Sequence, residues 1–153
     1  MNKNYIHVLA RAVIIDKAHI LLCKTTDLPH NFYYLPGGHV EHKESAKISL
    51  LRELMEEAGV KVVIKRFLGC LEYSFEPEYS SICHNHEYNF VFEVESDHLK
   101  LDIKVESQES KLDLVWMPIN QLSAIDFRAE PLKFLIPKWL KEPKVNCFES
   151  EMK

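Results

Sequence analysis

The stretch from Gly38 to Val60 reads GHVEHKESAKISLLRELMEEAGV, and its second half carries the marks of an α-helix. Ser45 is a candidate N-cap, Ala46 to Ala58 contain neither Gly nor Pro, and Gly59 stands where a left-handed C-terminal cap is expected. With each residue about 100° further round the axis, Ile48, Leu51, Leu54, Met55 and Ala58 form one apolar stripe. That stripe predicts packing on a sheet through Leu51, Leu54, Met55 and Ala58. Glu53, Glu56 and Glu57 fall together on the opposite side, with Arg52 at the border.

Three carboxylates gathered on one helix face repel one another, and like charges at i, i+4 cost a few tenths of a kcal/mol per exposed pair. One reading is a solvated acidic face. The other is a site for a hard divalent cation, which takes oxygen ligands from a few carboxylates and from substrate phosphates. The turn Pro36-Gly37-Gly38 at the entry to the segment favours the second reading, because it permits positive φ and close backbone approach beside the acidic helix.

At this spacing the segment resembles the Nudix box. The defined positions are Gly38, Glu44, Arg52, Glu53, Leu54, Glu56, Glu57, Gly59 and Val60, matched without an insertion. The preceding Tyr34-Leu35-Pro36-Gly37-Gly38 and the later Trp116-Met117-Pro118 also look like this family. The resemblance implies an α/β fold, a Nudix-type α/β/α sandwich around a mixed sheet. It implies an enzyme that hydrolyses a phosphoanhydride bond in a nucleoside diphosphate linked to another group X, with Mg²⁺ or Mn²⁺ as cofactor. On this basis Glu53, Glu56 and Glu57 are the expected metal ligands, with a backbone carbonyl from Gly37 or Gly38. Glu53 is also a candidate general base, Arg52 orients the glutamates, and Glu44 supports the box structurally. Glu106 and Glu109, in the polar loop before Trp116, are candidates for an extra ligand or base. Phe127 and Arg128 are candidates for stacking on a base or pairing with phosphate.

Composition narrows the setting. A chain of 153 residues suits one domain with one core, here expected over residues 1–142 with a polar tail over 143–153. The net charge of −4 supplies no general attraction to nucleic acid or anionic membrane, and an acidic protein that handles a polyanion needs a cation between the two; the small nucleotide expected as partner is what the resemblance implies. Cys23, Cys70, Cys83 and Cys147 form no Cys-x-x-Cys pair, which reads as free thiols in a reducing compartment. With no apolar signal core and no membrane-length run, the expected location is cytoplasmic. A homodimer is left open. Two other readings stand beside hydrolysis of a small nucleotide: a catalytically inactive Nudix-like nucleotide-binding module, and a pyrophosphohydrolase of RNA 5′ ends. The intact glutamate set argues against the first, and the lack of a basic, aromatic-rich stripe against the second.

Along the chain, Tyr5 to Ile15 and Ala18 to Lys24 read as a β-hairpin about Asp16-Lys17, and Phe32 to Leu35 as a short strand. Lys61 to Tyr73 read as one or two strands, with Gly69 marking a bulge or a break. Tyr88 to Val94 alternate and predict a strand with one face, Tyr88, Phe90, Phe92 and Val94, in the core. Leu99 to Val105 alternate likewise and predict a further strand, as do Leu112 to Met117. A short helix is expected from Pro118 to Leu122 and another over Pro131 to Leu140, kinked or divided at Pro137. Residues from Pro143 onward are expected to fray. Cys83, His84 and His86 carry metal-binding atoms but lack a recognised zinc spacing, and His39 and His42 read as exposed loop histidines.

Overall fold

The computed structural model describes residues 5–76, 85–142 and 148–151. Strand β1 (His7–Asp16) turns at Lys17 and Ala18, both at positive φ, into β2 (His19–Thr25). Two short strands follow, β3 (Tyr33–Tyr34) and β4 (Gly37–His39), then helix α1 (Ala46–Ala58). The remaining elements are β5 (Val63–Ser74), β6 (His86–Glu95), β7 (Leu112–Pro118), a 3-10 helix (Ile119–Ala124), β8 (Phe127–Arg128), α2 (Leu132–Lys141) and β9 (Phe148–Glu151).

The strands form a mixed sheet in the order β8-β3-β2-β1-β6-β5-β9, with β4 also on β1 and β7 also on β2. The β1–β6, β3–β8 and β5–β9 pairs are parallel and the others antiparallel. One apolar cluster, with Ala10, Ala12, Ile14, Leu21, Leu50, Leu54 and Phe92, lies between α1 and the sheet. The other, with Val13, Leu71, Val91, Leu122, Ile136 and Trp139, lies between the sheet and α2 with the 3-10 helix. Helices therefore cover both faces, which is the α/β/α arrangement expected.

The two caps of α1 form as its sequence predicts. Ser45 accepts the Ile48 N–H at 3.2 Å, and Gly59, in the left-handed conformation, donates its N–H to the Met55 carbonyl at 3.0 Å. Gly69 sits at a register shift between β5 and β6, a bulge within one strand and not a break.

Four expectations need correction. The phase of α1 is rotated: Leu50, Leu54, Glu57 and Ala58 face inward, at i, i+4, i+7 and i+8, whereas Ile48, Leu51 and Met55 are 59%, 42% and 41% exposed. Strand β6 buries both faces, Val91 with Asn89 on one and Phe92 with Val94 on the other, because it is flanked by β1 and β5 with a helix layer on each side. Leu99 to Val105 form turns and no strand. The Leu101 N–H bonds the Asp16 carboxylate at 2.9 Å instead of a neighbouring strand, and the alternation reflects only Leu99 and Val105 packing inward. Finally, Phe148 to Glu151 of the polar tail pair with β5 as β9. Pro137 lies inside α2 without dividing it. Among the described residues no helix is long and apolar enough to cross a membrane.

The corrected phase makes a direct test. Leu50→Ala should lower unfolding stability by about 2–5 kcal/mol, the usual cost of a cavity at a fully buried leucine, while Leu51→Ala should cost less than about 1 kcal/mol. Urea denaturation of the two variants checks this, and equal losses would contradict the observed phase.

Candidate active site

The Pro36-Gly37-Gly38 turn and α1 meet face to face because neither glycine has a side chain. A Cβ on Gly38 would lie 2.5 Å from the Glu53 carboxylate. One on Gly37, whose φ is +116°, would lie 2.1 Å from the Ala10 carbonyl oxygen and 3.1 Å from Leu50 Cδ1. The helix can thus set two of its glutamates against the turn.

Glu57 is the deeper of the two, only 3% exposed. Its Oε2 accepts the Gly37 N–H at 2.9 Å, and its Oε1 accepts the Cys23 thiol at 3.8 Å. Burial pushes its pKa up from 4.5 to about 8, against the opposing pull of the Gly37 N–H and of the Arg11 guanidinium; the charges of Glu53 and Glu109 push it further up. Glu53 is also raised, first by burial and then against the pull of Arg52. The Cys23 thiol and the Tyr34 phenol beside them are raised as well, both mainly by burial.

Arg52 is the hub of the exposed side. It donates to both oxygens of Glu44, at 2.9 and 3.0 Å, to Glu53 at 2.9 Å, to Glu56 at 3.3 Å and to the His39 carbonyl at 3.1 Å. The Arg52 hydrogen bond is the main cause that holds Glu44 at about 2, and Glu44 in turn accepts the Glu41 N–H. Ser49 ties the same loop to the helix by donating to the His39 carbonyl at 3.0 Å.

The other candidates separate. The Gln108 N–H bonds the Glu57 backbone carbonyl at 2.7 Å, so the loop after Val105 is docked on α1 and the Glu109 charge is felt at Glu57. Glu106, in the same loop, is exposed and engaged by Lys104. Phe127 is fully buried in the core, so it is not available to stack on a base. Arg128 is held by both oxygens of Asp126, at 2.8 and 3.0 Å, and lies 5.1 Å over the Phe32 ring. The His39 ring packs edge-on against His7, and His86 Nε2 lies 3.9 Å from Glu72, while Cys83 and His84 fall outside the described residues.

Sequence reasoning missed Arg11. Its Nη1 donates to the carbonyls of Leu35 at 3.1 Å and Gly37 at 2.6 Å. A lone arginine among the apolar residues of β1 was the available signal, since long charged side chains are seldom placed inside a sheet without a partner.

Among the described residues no three His, Cys, Asp or Glu side chains are gathered into a ready-made metal cluster. Glu53 and Glu57 face the turn, whereas Glu56 is turned to Arg52 and is about half exposed. The donor chemistry nevertheless fits a hard cation. Both carboxylates are raised by burial, the Glu53 charge further opposes ionisation of Glu57, and a divalent charge would stabilise both.

A family model of the NUDIX domain matches residues 6–138. The chain belongs to the NUDIX family. It is 35% identical over 66 residues to an 8-oxo-dGTP diphosphatase of Buchnera aphidicola subsp. Schizaphis graminum (strain Sg), covering 42% of this chain and 51% of that one. The chain thus spans about half the length of that relative. It is 27% identical over 145 residues to an RNA pyrophosphohydrolase of Wolbachia sp. subsp. Drosophila simulans (strain wRi), covering 88% of each. The solution structure of the E. coli ORF135 protein shares the fold with a TM-score of 0.69 at 18% identity, covering 94% of this chain and 96% of that one.

The buried Glu57 links stability to pH. Its folded pKa of about 8 lies above its ordinary 4.5, so between these values the folded chain binds more protons than the unfolded one. Its contribution is present in full below about pH 4.5 and is lost as pH rises towards about 8. In metal-free protein, urea unfolding from pH 5 to 8 should show the wild type losing stability relative to Glu57→Gln. Parallel pH profiles for the two proteins would contradict the burial assigned to this carboxylate.

Proposed function

We propose that this Nudix protein hydrolyses a phosphoanhydride bond in a nucleoside diphosphate linked to another group X, with Mg²⁺ or Mn²⁺. The observation that carries the reading is the placement of Glu53 and Glu57 against the Gly37–Gly38 turn, where burial raises both carboxylates despite the positive charges of Arg52 and Arg11. Glu53, Glu56 and Glu57 are the residues that would hold the cation, Glu56 after release from Arg52. When bound, the metal supplies charge stabilisation at the phosphate oxygens and lowers the pKa of an attacking water. Arg52 keeps the carboxylates and the Glu44 loop in register, and Glu44 is its anchor. A Glu53 carboxylate oxygen takes the proton of the attacking water in this scheme; Glu109, whose charge reaches Glu57, is the second candidate. The Gly37 carbonyl is engaged by Arg11, so Gly38 is the better placed of the two glycines to offer a carbonyl oxygen.

A small nucleotide substrate agrees with the net charge of −4. One observation favours a second reading, hydrolysis at RNA 5′ ends: the relative aligned over 88% of the chain is named an RNA pyrophosphohydrolase. A hydrolysis screen with Mg²⁺ and Mn²⁺ against nucleoside triphosphates, sugar nucleotides, ADP-ribose, dinucleoside polyphosphates and 5′-triphosphate RNA separates them. On the best substrate, Glu53→Gln, Glu56→Gln and Glu57→Gln should each cut turnover by about two orders of magnitude or more while the fold persists. Nucleotide binding without turnover on any substrate would instead support a binding module, and near-normal turnover in all three variants would sink the metal assignment.

A further inference from the structure

The turn that carries Gly37 is gripped by two elements, α1 and β1. On the helix side the Gly37 N–H meets Glu57 Oε2 at 2.9 Å. The second grip comes from β1. Ala10, Ala12 and Ile14 of that strand pack with Leu50 and Leu54 of α1, and Val13 packs on the opposite face. Alternation along the strand starts the Arg11 side chain on the Val13 side, and its guanidinium reaches the Leu35–Gly37 turn beside Tyr34, the strand partner of Cys23. There its Nη1 donates to the carbonyls of Leu35 and Gly37, and its guanidinium carbon lies 5.5 Å from the centre of the Tyr34 ring. The carbonyl in between, that of Pro36, accepts the Ala12 N–H at 2.9 Å.

Three consecutive carbonyls are thus tied to two consecutive residues of β1. With the oxygens of Leu35, Pro36 and Gly37 all fixed, the Pro36–Gly37 peptide has little freedom to rotate, and its N–H is aimed at Glu57. We propose that Arg11 is a positioning residue for Glu57, acting through the Leu35–Gly37 turn it staples to β1. This inference rests on the metal-dependent reading of the acidic helix for its effect on turnover, though not for its effect on the turn. Arginine suits the task because a charged, planar donor group can serve two carbonyls on one side of the chain with charge-assisted bonds.

The test uses Arg11→Met and Arg11→Lys with three readouts. These are the Gly37 amide resonance by ¹⁵N NMR, Mn²⁺ affinity without nucleotide, and kcat with KM on the best substrate of the screen. Arg11→Met should shift the Gly37 amide upfield as its bond to the carboxylate loosens, and lower Mn²⁺ affinity about 10–100-fold, the usual effect of removing the group that orients a ligand. kcat should fall with KM nearly unchanged. Arg11→Lys should fall between, because an ammonium keeps the charge but not the planar fork. An unmoved Gly37 amide with unchanged Mn²⁺ affinity, or a loss confined to KM, would overturn the proposal. If Arg11→Met does not fold, Arg11→Lys decides by the same readouts. If the wild type neither binds metal nor hydrolyses anything, the functional reading fails, and the Gly37 amide still decides the role of Arg11.

Discussion

The hydrogen bond from the Gly37 N–H to Glu57 is the constraint on which the rest of the architecture depends. A carboxylate that is 3% exposed is costly unless it is protonated, hydrogen-bonded or met by positive charge. The chain meets that demand with one backbone donor, one thiol and a nearby guanidinium. To bring the donor close, the turn must be glycine at two consecutive positions. To bring the carboxylate close, α1 must roll until Glu57 points inward beside Leu50 and Leu54. The exposure of Ile48, Leu51 and Met55 follows from that roll.

On its outer side the same helix solves the opposite problem. Glu44, Glu53 and Glu56 would repel one another, and a single arginine bridges all three. Arg52 thereby separates the carboxylates into two kinds. Glu44 is held ionised well below the usual carboxylate range, whereas Glu53 and Glu57 lean towards protonation as burial outweighs their partners. Groups that differ this way divide the work: the first fixes the loop, and the others gain most from an added cation.

The parts of this architecture governed by local chemistry were readable in the sequence. The caps Ser45 and Gly59, the first hairpin, whose turn falls one residue further on at Lys17-Ala18, and the irregularity at Gly69 depend on a few neighbouring residues. The spacing of the box likewise named the helix that meets the Gly37–Gly38 turn. What was not readable depends on partners distant in the chain. Apolar residues were assumed to mark the buried face of α1, but a buried glutamate paired with Gly37 displaced Leu51 and Met55 from it. The alternation from Leu99 to Val105 lacked a strand to pair with, and Asp16 captured its backbone instead. The tail strand β9 formed on the open edge of β5. Arg11 could not be assigned from spacing because its partners are carbonyls, which every sequence possesses and none displays.

The central claim is that a divalent cation belongs between the Gly37–Gly38 turn and the glutamates of α1. Paramagnetic broadening of backbone amide signals on addition of substoichiometric Mn²⁺ to the wild-type protein tests this most directly. The account predicts broadening centred on Gly37, Gly38 and residues 53–57, weakening with distance along β1 and β4. Uniform weak broadening across the surface, or a centre elsewhere in the fold, would contradict it.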